Sequence, residues 1–135
     1  MPSAPKIILL SDGARPTEDI YFLRSAVPFL KKHHNFQILR FNCNSAVMSP
    51  WMLRLSQFKN AHLIIVRSIP SKWLSFLEQS RYDFSSITYI IDDDFSAVLA
   101  DDVQSTLPDV YIQKISRLYR IQRRILALAN TVVAS

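Results

Sequence analysis

The sequence predicts an α/β fold in which a doubly wound parallel sheet of about five strands forms the middle of a three-layer sandwich. Short apolar runs, typical of buried parallel strands, alternate along the chain with amphipathic stretches. The chain has 135 residues, of which 49% are apolar, and this suffices for a single domain, residues 1–135, with one core. Right-handed crossovers then favour helices on both faces of the sheet and the strand order 3-2-1-4-5.

Five apolar runs are the predicted strands. Each is bounded by turn residues or by an amphipathic stretch, as buried strands usually are. The runs are Lys6–Leu10, Phe36–Phe41, His62–Val66, Ile87–Ile91 and Thr131–Ala134. Alternation of such strands with helices describes a Rossmann-like architecture.

The stretches between the strands carry helical signals. Thr17 is a predicted N-cap, and apolar residues recur at helical spacing after it. Pro28 lies inside that pattern, so either the helix kinks there or two short helices meet. Three further helices are predicted over Pro50–Phe58, Pro70–Gln79 and Val110–Ala129.

Apolar side chains on these helices define the faces expected to contact the core. We expect Trp51 and Leu55 to face inward on the first of the three, and Trp73 to be an anchor in the core or at an interface. The last helix has its apolar residues at Ile112, Ile115, Leu118, Tyr119, Ile125 and Leu126.

Composition excludes several classes of protein. Gly13 is the only glycine, which argues against glycine-rich nucleotide-binding loops. Cys43 is the only cysteine, so a disulfide framework or a cysteine-based zinc site is excluded, and a reducing cytoplasm fits. No apolar run approaches the roughly 20 residues of a spanning helix. We expect no cofactor and no metal on the chain itself.

Charge is segregated along the chain, whose net charge is +5. Residues 92–109 carry six acidic and no basic residues, and residues 110–135 carry five basic and no acidic ones. The basic residues are Lys114, Arg117, Arg120, Arg123 and Arg124. They form either an ordinary solvated helix face, a contact for anionic phospholipid, or a contact for a partner domain. No nucleic-acid-binding motif accompanies them, so nucleic acid is not an expected partner.

Polar residues follow the predicted strands at their carboxyl ends, where doubly wound sheets bind ligands. Asp12 and Gly13 follow the first strand, Arg67 follows the third, and Asp92–Asp94 follow the fourth. Three adjacent carboxylates repel one another, so one of them should have a raised pKa unless a cation such as Arg67 or Arg15 lies close. They indicate a general base, an acceptor of sugar hydroxyls, a divalent-metal site, or a helix N-cap in a solvated turn.

One related fold is rejected on its residues. A phosphorelay receiver needs an aspartate after the third strand and a lysine after the fifth, whereas Arg67 and Ser135 occupy those places.

Several segments together resemble a known family. Arg24 and Pro28 lie four residues apart after KIILLSDG, Arg67 lies in LIIVRSIPSKWL, and the fourth strand runs into YIIDDDF. The last strand, NTVVAS, follows the long basic helix. This order resembles the N-terminal Rossmann-like half of GT-B glycosyltransferases of the group 1 type, over nearly the whole chain.

The resemblance implies an acceptor-side domain of a sugar-transferring enzyme. It implies substrate contacts at Asp12, Gly13, Arg24 and Arg67, and catalytic roles for Asp92, Asp93 and Asp94. The family's C-terminal half, which binds the nucleotide-sugar donor, has no counterpart in these 135 residues. We therefore expect the isolated chain to be inactive and cytoplasmic, with attachment to the inner face of a membrane through the basic helix.

The alternative is a different class of protein, a non-catalytic interaction module. A Rossmann-like domain with one glycine and a basic helix suits a protein partner, because fold alone does not specify function. A homo-oligomer built on the last helix and the fifth strand would favour this alternative.

Overall fold

A computed structural model describes residues 6–11, 32, 37–43, 45, 48–55, 57–91 and 108–134. Within them, five strands form one all-parallel sheet in the order β2-β1-β3-β4-β5. The strands are β1 (Lys6–Ser11), β2 (Gln37–Asn42), β3 (His62–Val66), β4 (Ser86–Ile91) and β5 (Thr131–Ala134). The predicted α/β fold on a five-stranded parallel sheet is confirmed.

The predicted strand order 3-2-1-4-5 is wrong. β3 lies between β1 and β4, with Leu63 opposite both Ile8 and Ile87. Both orders are common in doubly wound sheets and both obey the right-handed crossover rule. Short strands of aliphatic residues pair equally well with several neighbours, so their sequences do not select between the two orders.

Three helices pack on one face of the sheet. They are α1 (Pro50–Leu55), α2 (Ser71–Gln79) and α3 (Asp109–Leu128), and a 3-10 turn covers Arg81–Asp83. The crossovers from β2 to β3, β3 to β4 and β4 to β5 all run in one direction, so right-handedness places their helices on the same face. The β1–β2 connection runs the other way, and nearly all of it lies outside the described residues.

The main core lies between the sheet and these helices. Trp73 and Leu77 of α2 and Tyr89 of β4 are fully buried there. Leu9, Val66 and Ile90 point to the other face of the sheet and are also buried. Because both faces of the central strands are out of water, the strands read as nearly continuous apolar runs. Each fully buried aliphatic side chain contributes roughly 1.5–3 kcal/mol.

The first helix differs from its prediction. It ends at Leu55 and not at Phe58, and Trp51 is 63% exposed instead of facing inward. Leu53 is fully buried and occupies the inward position. Two residues along a helix turn the side chain through roughly 200°, so Leu53 and Trp51 point to opposite sides. The side chain of Leu55 lies outside the described part of the chain.

The other two helices are close to their predictions. α2 starts one residue later than expected, with Pro70 as the N-cap whose carbonyl accepts the N–H groups of Trp73 and Leu74 at 3.1 Å each. α3 buries Ile115 and Ile125 as expected, but Leu126 is 38% exposed and Gln122 is buried in the contact face. None of the described helices combines the length and apolarity needed to cross a bilayer.

Candidate functional site: the carboxyl edge of the sheet

The observed strand order determines where a ligand crevice would open. The chain passes from β1 to its neighbour β2 and then crosses back over β1 to β3, so the crossover direction reverses and the switch point lies between β1 and β3. In doubly wound sheets, ligands bind at this switch point, outside the carboxyl ends of the strands. Ser11 and Val66 lie opposite each other as the last paired residues there. The residue after Val66 therefore lies at this switch point.

That residue is Arg67, which has a left-handed backbone with φ of 66°. Two hydrogen bonds from β4 hold it: its N–H donates to the Ile90 carbonyl at 3.0 Å, and the buried Tyr89 hydroxyl donates to its carbonyl. A left-handed conformation costs a residue with a Cβ about 1–2 kcal/mol. Such strained residues cluster at ligand sites, where the surrounding structure fixes them.

The neighbouring part of the carboxyl edge is closed by β1 and β2. The Ser11 carbonyl accepts the Cys43 N–H at 2.8 Å, and both residues are almost fully buried. Cys43 is a free thiol that packs in the main core, as expected of a small buried residue.

Arg67 is the only member of the predicted cleft that lies within the described residues. Asp12, Gly13, Arg15, Arg24, Asp92, Asp93 and Asp94 lie outside the described residues. Sequence continuity still relates them to the strands, since Asp12 directly follows β1 and Asp92 directly follows β4. β3 lies between these two strands, so Arg67 leaves the sheet between the end of β1 and the end of β4. In the predicted order, β1 and β4 would have been direct neighbours.

Metal binding has no support in the described part of the chain. No group of three or more His, Cys, Asp or Glu side chains there is arranged to hold an ion.

The basic residues of α3 divide into two sets. Lys114, Arg117, Arg120 and Arg123 are exposed, and the Arg123 guanidinium lies 5.9 Å from the Tyr119 ring centre. Ile112, Gln113, Ser116, Arg117 and Arg120 line a shallow hollow of about 310 Å³. The exposed set therefore forms a cationic surface, which we call the α3 basic surface.

Arg124 has a different role, because it joins α3 to α2. Its guanidinium forms an ion pair with Glu78 and lies 3.4 Å from the Ser75 hydroxyl. The hydrogen bond to the Glu78 carboxylate raises the pKa of Arg124, with the negative charge of Glu78 adding to the effect. Arg124 is consequently engaged with another helix of the fold.

A second cavity lies at the opposite edge of the sheet and was not predicted. It has a volume of about 520 Å³ and is lined by Gln57, Phe58, Lys59, Ser80 and Asp83. We call it the amino-edge pocket, because its two walls directly precede β3 and β4. The only hint in the sequence is Asn60, since asparagine tolerates the left-handed backbone found there.

Comparison with protein-family models, with curated proteins and with solved structures finds no significant match to this chain.

Proposed function

We propose that this chain is the acceptor-binding half of a glycosyltransferase of the GT-B type. A second domain would supply the nucleotide-sugar donor. The carboxyl edge beside β1 and β3 would hold the acceptor, with Arg67 orienting its hydroxyl or phosphate groups. Asp92–Asp94 would accept the proton of the attacking hydroxyl.

The observation that carries the proposal is the position of Arg67. Among the predicted substrate-binding and catalytic residues it is the one that the structure describes, and it flanks the switch point of the sheet. Its backbone is left-handed, and hydrogen bonds to β4 at both its N–H and its carbonyl hold that conformation. Guanidinium groups recognise phosphates and make strong charge-assisted hydrogen bonds, which suits a sugar phosphate acceptor.

Ligand binding to the 135-residue chain tests this proposal. Saturation-transfer NMR with a panel of sugars, sugar phosphates and polyprenyl-phosphate sugars should reveal acceptor binding, whereas UDP-glucose and GDP-mannose should bind weakly or not at all. The Arg67→Ala change should weaken acceptor binding by about tenfold or more, because a charge-assisted contact is lost. Arg81→Ala removes an exposed arginine at the other edge of the sheet and serves as the matched control.

Two results would contradict the proposal. One is sugar transfer by the isolated chain, which would show that no second domain is needed. The other is acceptor binding that Arg67→Ala and Arg81→Ala leave equally unchanged.

The same proposal places the protein in the cytoplasm, at the inner face of an anionic membrane. The α3 basic surface supports this part, because four exposed cations lie along one helix. Each lysine or arginine near anionic lipid contributes about 1 kcal/mol. A lipid-linked acceptor would be presented from that surface.

Vesicle sedimentation tests the membrane contact. Vesicles rich in phosphatidylserine should bind the chain at low salt, and binding should fall at higher salt because exposed charges are screened over about 8–10 Å. Arg117→Glu with Arg120→Glu should abolish it. Arg81→Glu introduces the same kind of charge reversal outside the α3 basic surface and should have a smaller effect. Failure to bind at low salt would remove the membrane part of the proposal.

The second candidate function is a non-catalytic interaction module, and the exposed strand β5 favours it. Val132 and Val133 point to opposite faces of the sheet, and they are 45% and 47% exposed. β5 ends the described sheet, pairing with β4 on one side. Half-exposed valines on a terminal strand suit pairing with a second copy of this chain.

Light scattering after size-exclusion chromatography distinguishes the two functions. A stable dimer that Val133→Lys converts to monomer, together with an absence of acceptor binding, would favour the interaction module. Tyr82→Lys, at an exposed apolar residue outside both α3 and β5, is the control.

A further inference from the structure

The amino-edge pocket is built from two short segments that hydrogen bonds hold together. One wall comes from Gln57–Asn60, just before β3, and the other from Ser80–Asp83, between α2 and β4. The Asn60 N–H donates to the Asp83 carbonyl at 2.6 Å, and the Ser85 hydroxyl donates to the Asn60 carbonyl at 2.7 Å. The two walls are therefore fixed relative to each other.

The first wall is also held by a side chain of β1 and by a hydrogen bond within its own loop. The Lys6 ammonium donates to the Gln57 carbonyl at 3.1 Å, and the Ala61 N–H donates to the Phe58 carbonyl at 3.0 Å. Gln57 and Asn60 both have left-handed backbones, with φ of 55° and 64°. A loop that holds two such residues in place is preorganised, so a ligand would find the pocket formed.

Aromatic packing supports the pocket from the core side. Phe58 lines the pocket and is nearly buried. Its ring meets the Phe76 ring edge-on at 5.8 Å and the Phe84 ring at 5.0 Å. The pocket thus has an apolar base, and its volume falls within the range of about 300–1,000 Å³ that is common for small-molecule sites.

Opposite charges line the pocket without neutralising each other. Lys59 lies on the first wall and Asp83 on the second, and no ion pair joins them within the described residues. Gln57 and Ser80 add uncharged polar groups. A ligand that brings a carboxylate to Lys59 and an ammonium group to Asp83 would satisfy both charges at once.

We propose that the amino-edge pocket binds a small zwitterion of the α-amino-acid class. Lys59 holds the carboxylate, Asp83 holds the ammonium group, and the apolar part of the ligand lies against Phe58. This site is independent of the proposed acceptor site, which lies at the other edge of the sheet.

Matched ligands test which charge each residue recognises. Isothermal titration and amide chemical shifts of the full chain would be measured with the twenty amino acids, and then with the N-acetyl and amide derivatives of those that bind. The parent amino acid should bind at least about tenfold more tightly than either derivative, because each derivative lacks one charge. The amides of Asn60 and Asp83 should shift.

Charge-neutralising variants complete the test. Lys59→Gln should weaken the parent amino acid about tenfold and leave the amide derivative unchanged, whereas Asp83→Asn should leave the N-acetyl derivative unchanged. Lys72→Gln and Asp109→Asn, at exposed positions on α2 and α3, should change nothing. Absence of binding by every amino acid up to about 10 mM would overturn the proposal. Binding that neither pocket variant weakens would overturn it as well.

Discussion

The two edges of the sheet differ in how their backbones are held. At the carboxyl edge, the left-handed Arg67 is fixed by groups of the adjacent strand β4. At the amino edge, the left-handed Gln57 and Asn60 are fixed partly by side chains distant in sequence, Lys6 and Ser85. The backbone conformation at the carboxyl edge therefore follows from the pairing of β3 with β4, whereas that at the amino edge depends on particular side chains. A general rule of the fold locates the first site but gives no information on the second.

Both edges rest on the same core, and Trp73 is its largest fully buried side chain. Trp73→Ala should lower the free energy of unfolding by about 3–5 kcal/mol, because it leaves a cavity beneath the sheet. Urea denaturation, monitored by amide resonances from both edges, would measure this loss. The two edges should unfold in a single transition.

Trp73→Phe is the control for that change. Its loss should be smaller, because a ring still contacts Phe41 and the indole N–H has no hydrogen-bond partner among the described residues to lose. Separate unfolding of the two edges would contradict a shared core.

The strain at Arg67 is the next largest expected effect. Arg67→Gly should be about 1 kcal/mol more stable than Arg67→Ala, because glycine adopts φ of 66° without a Cβ clash. Both variants remove the guanidinium, so both should lose acceptor binding. Thermal unfolding measures the difference between them.

The corresponding pair at the amino edge sharpens the comparison. Asn60→Gly should change stability less than Arg67→Gly does, because asparagine already tolerates φ of 64°. Equal stability of the two Arg67 variants would show that the left-handed backbone there carries no cost.

Much of the fold was predictable, because apolar runs and helical periodicity are local signals. β3 and β5 have the predicted bounds, β1 and β4 are one residue longer at one end, and β2 is shifted by one residue. Strand order is a non-local property of interchangeable aliphatic strands and was predicted wrongly. The inward side of α1 was also wrong, because a single short helix with Trp51 and Leu53 gives two plausible apolar faces.

The candidate sites were predictable to different degrees. Arg67 was predicted because it directly follows a strand, and doubly wound sheets bind ligands at the carboxyl ends of their strands. The amino-edge pocket was missed because Lys59 and Asp83 are distant in sequence, and hydrogen bonds between their two segments, such as that from the Asn60 N–H to the Asp83 carbonyl, bring them to one pocket. Arg124 was grouped with the exposed cations because its partner, Glu78, lies on another helix.

A change at Tyr89 should affect the carboxyl edge of the sheet and not the amino edge. Tyr89→Phe removes the hydrogen bond to the Arg67 carbonyl, and we expect a loss of about 0.5–1.5 kcal/mol in the free energy of unfolding. Hydrogen exchange should accelerate at Arg67, acceptor binding should weaken, and the amino-edge pocket should be unaffected.

A matched hydroxyl deletion exists at the amino edge. Ser86→Ala removes the 2.8 Å hydrogen bond between Ser86 and His62, at the start of β3 and β4. It should leave acceptor binding unchanged. Equal loss of acceptor binding in both variants would mean that the Tyr89 bond does not position Arg67 specifically.

The smallest expected effect belongs to the ion pair between Arg124 and Glu78, which touches neither edge directly. Both side chains are 40% exposed, so water and salt screen the pair, and Arg124→Gln should cost at most about 1 kcal/mol. The raised pKa keeps Arg124 charged, and the stability contributed by its charge is present below its ordinary pKa and would fade only at still more alkaline pH.

Salt concentration is therefore a more useful variable than alkaline pH for testing this ion pair. The cost of Arg124→Gln should shrink between about 0.1 M and 1 M salt, as the screening length falls from about 10 Å to 3 Å. Ligand binding at both edges should stay at the level of the unmodified chain. A cost that is well above 1 kcal/mol and independent of salt would mean that Arg124 stabilises the α2–α3 contact through packing of its side chain rather than through its charge.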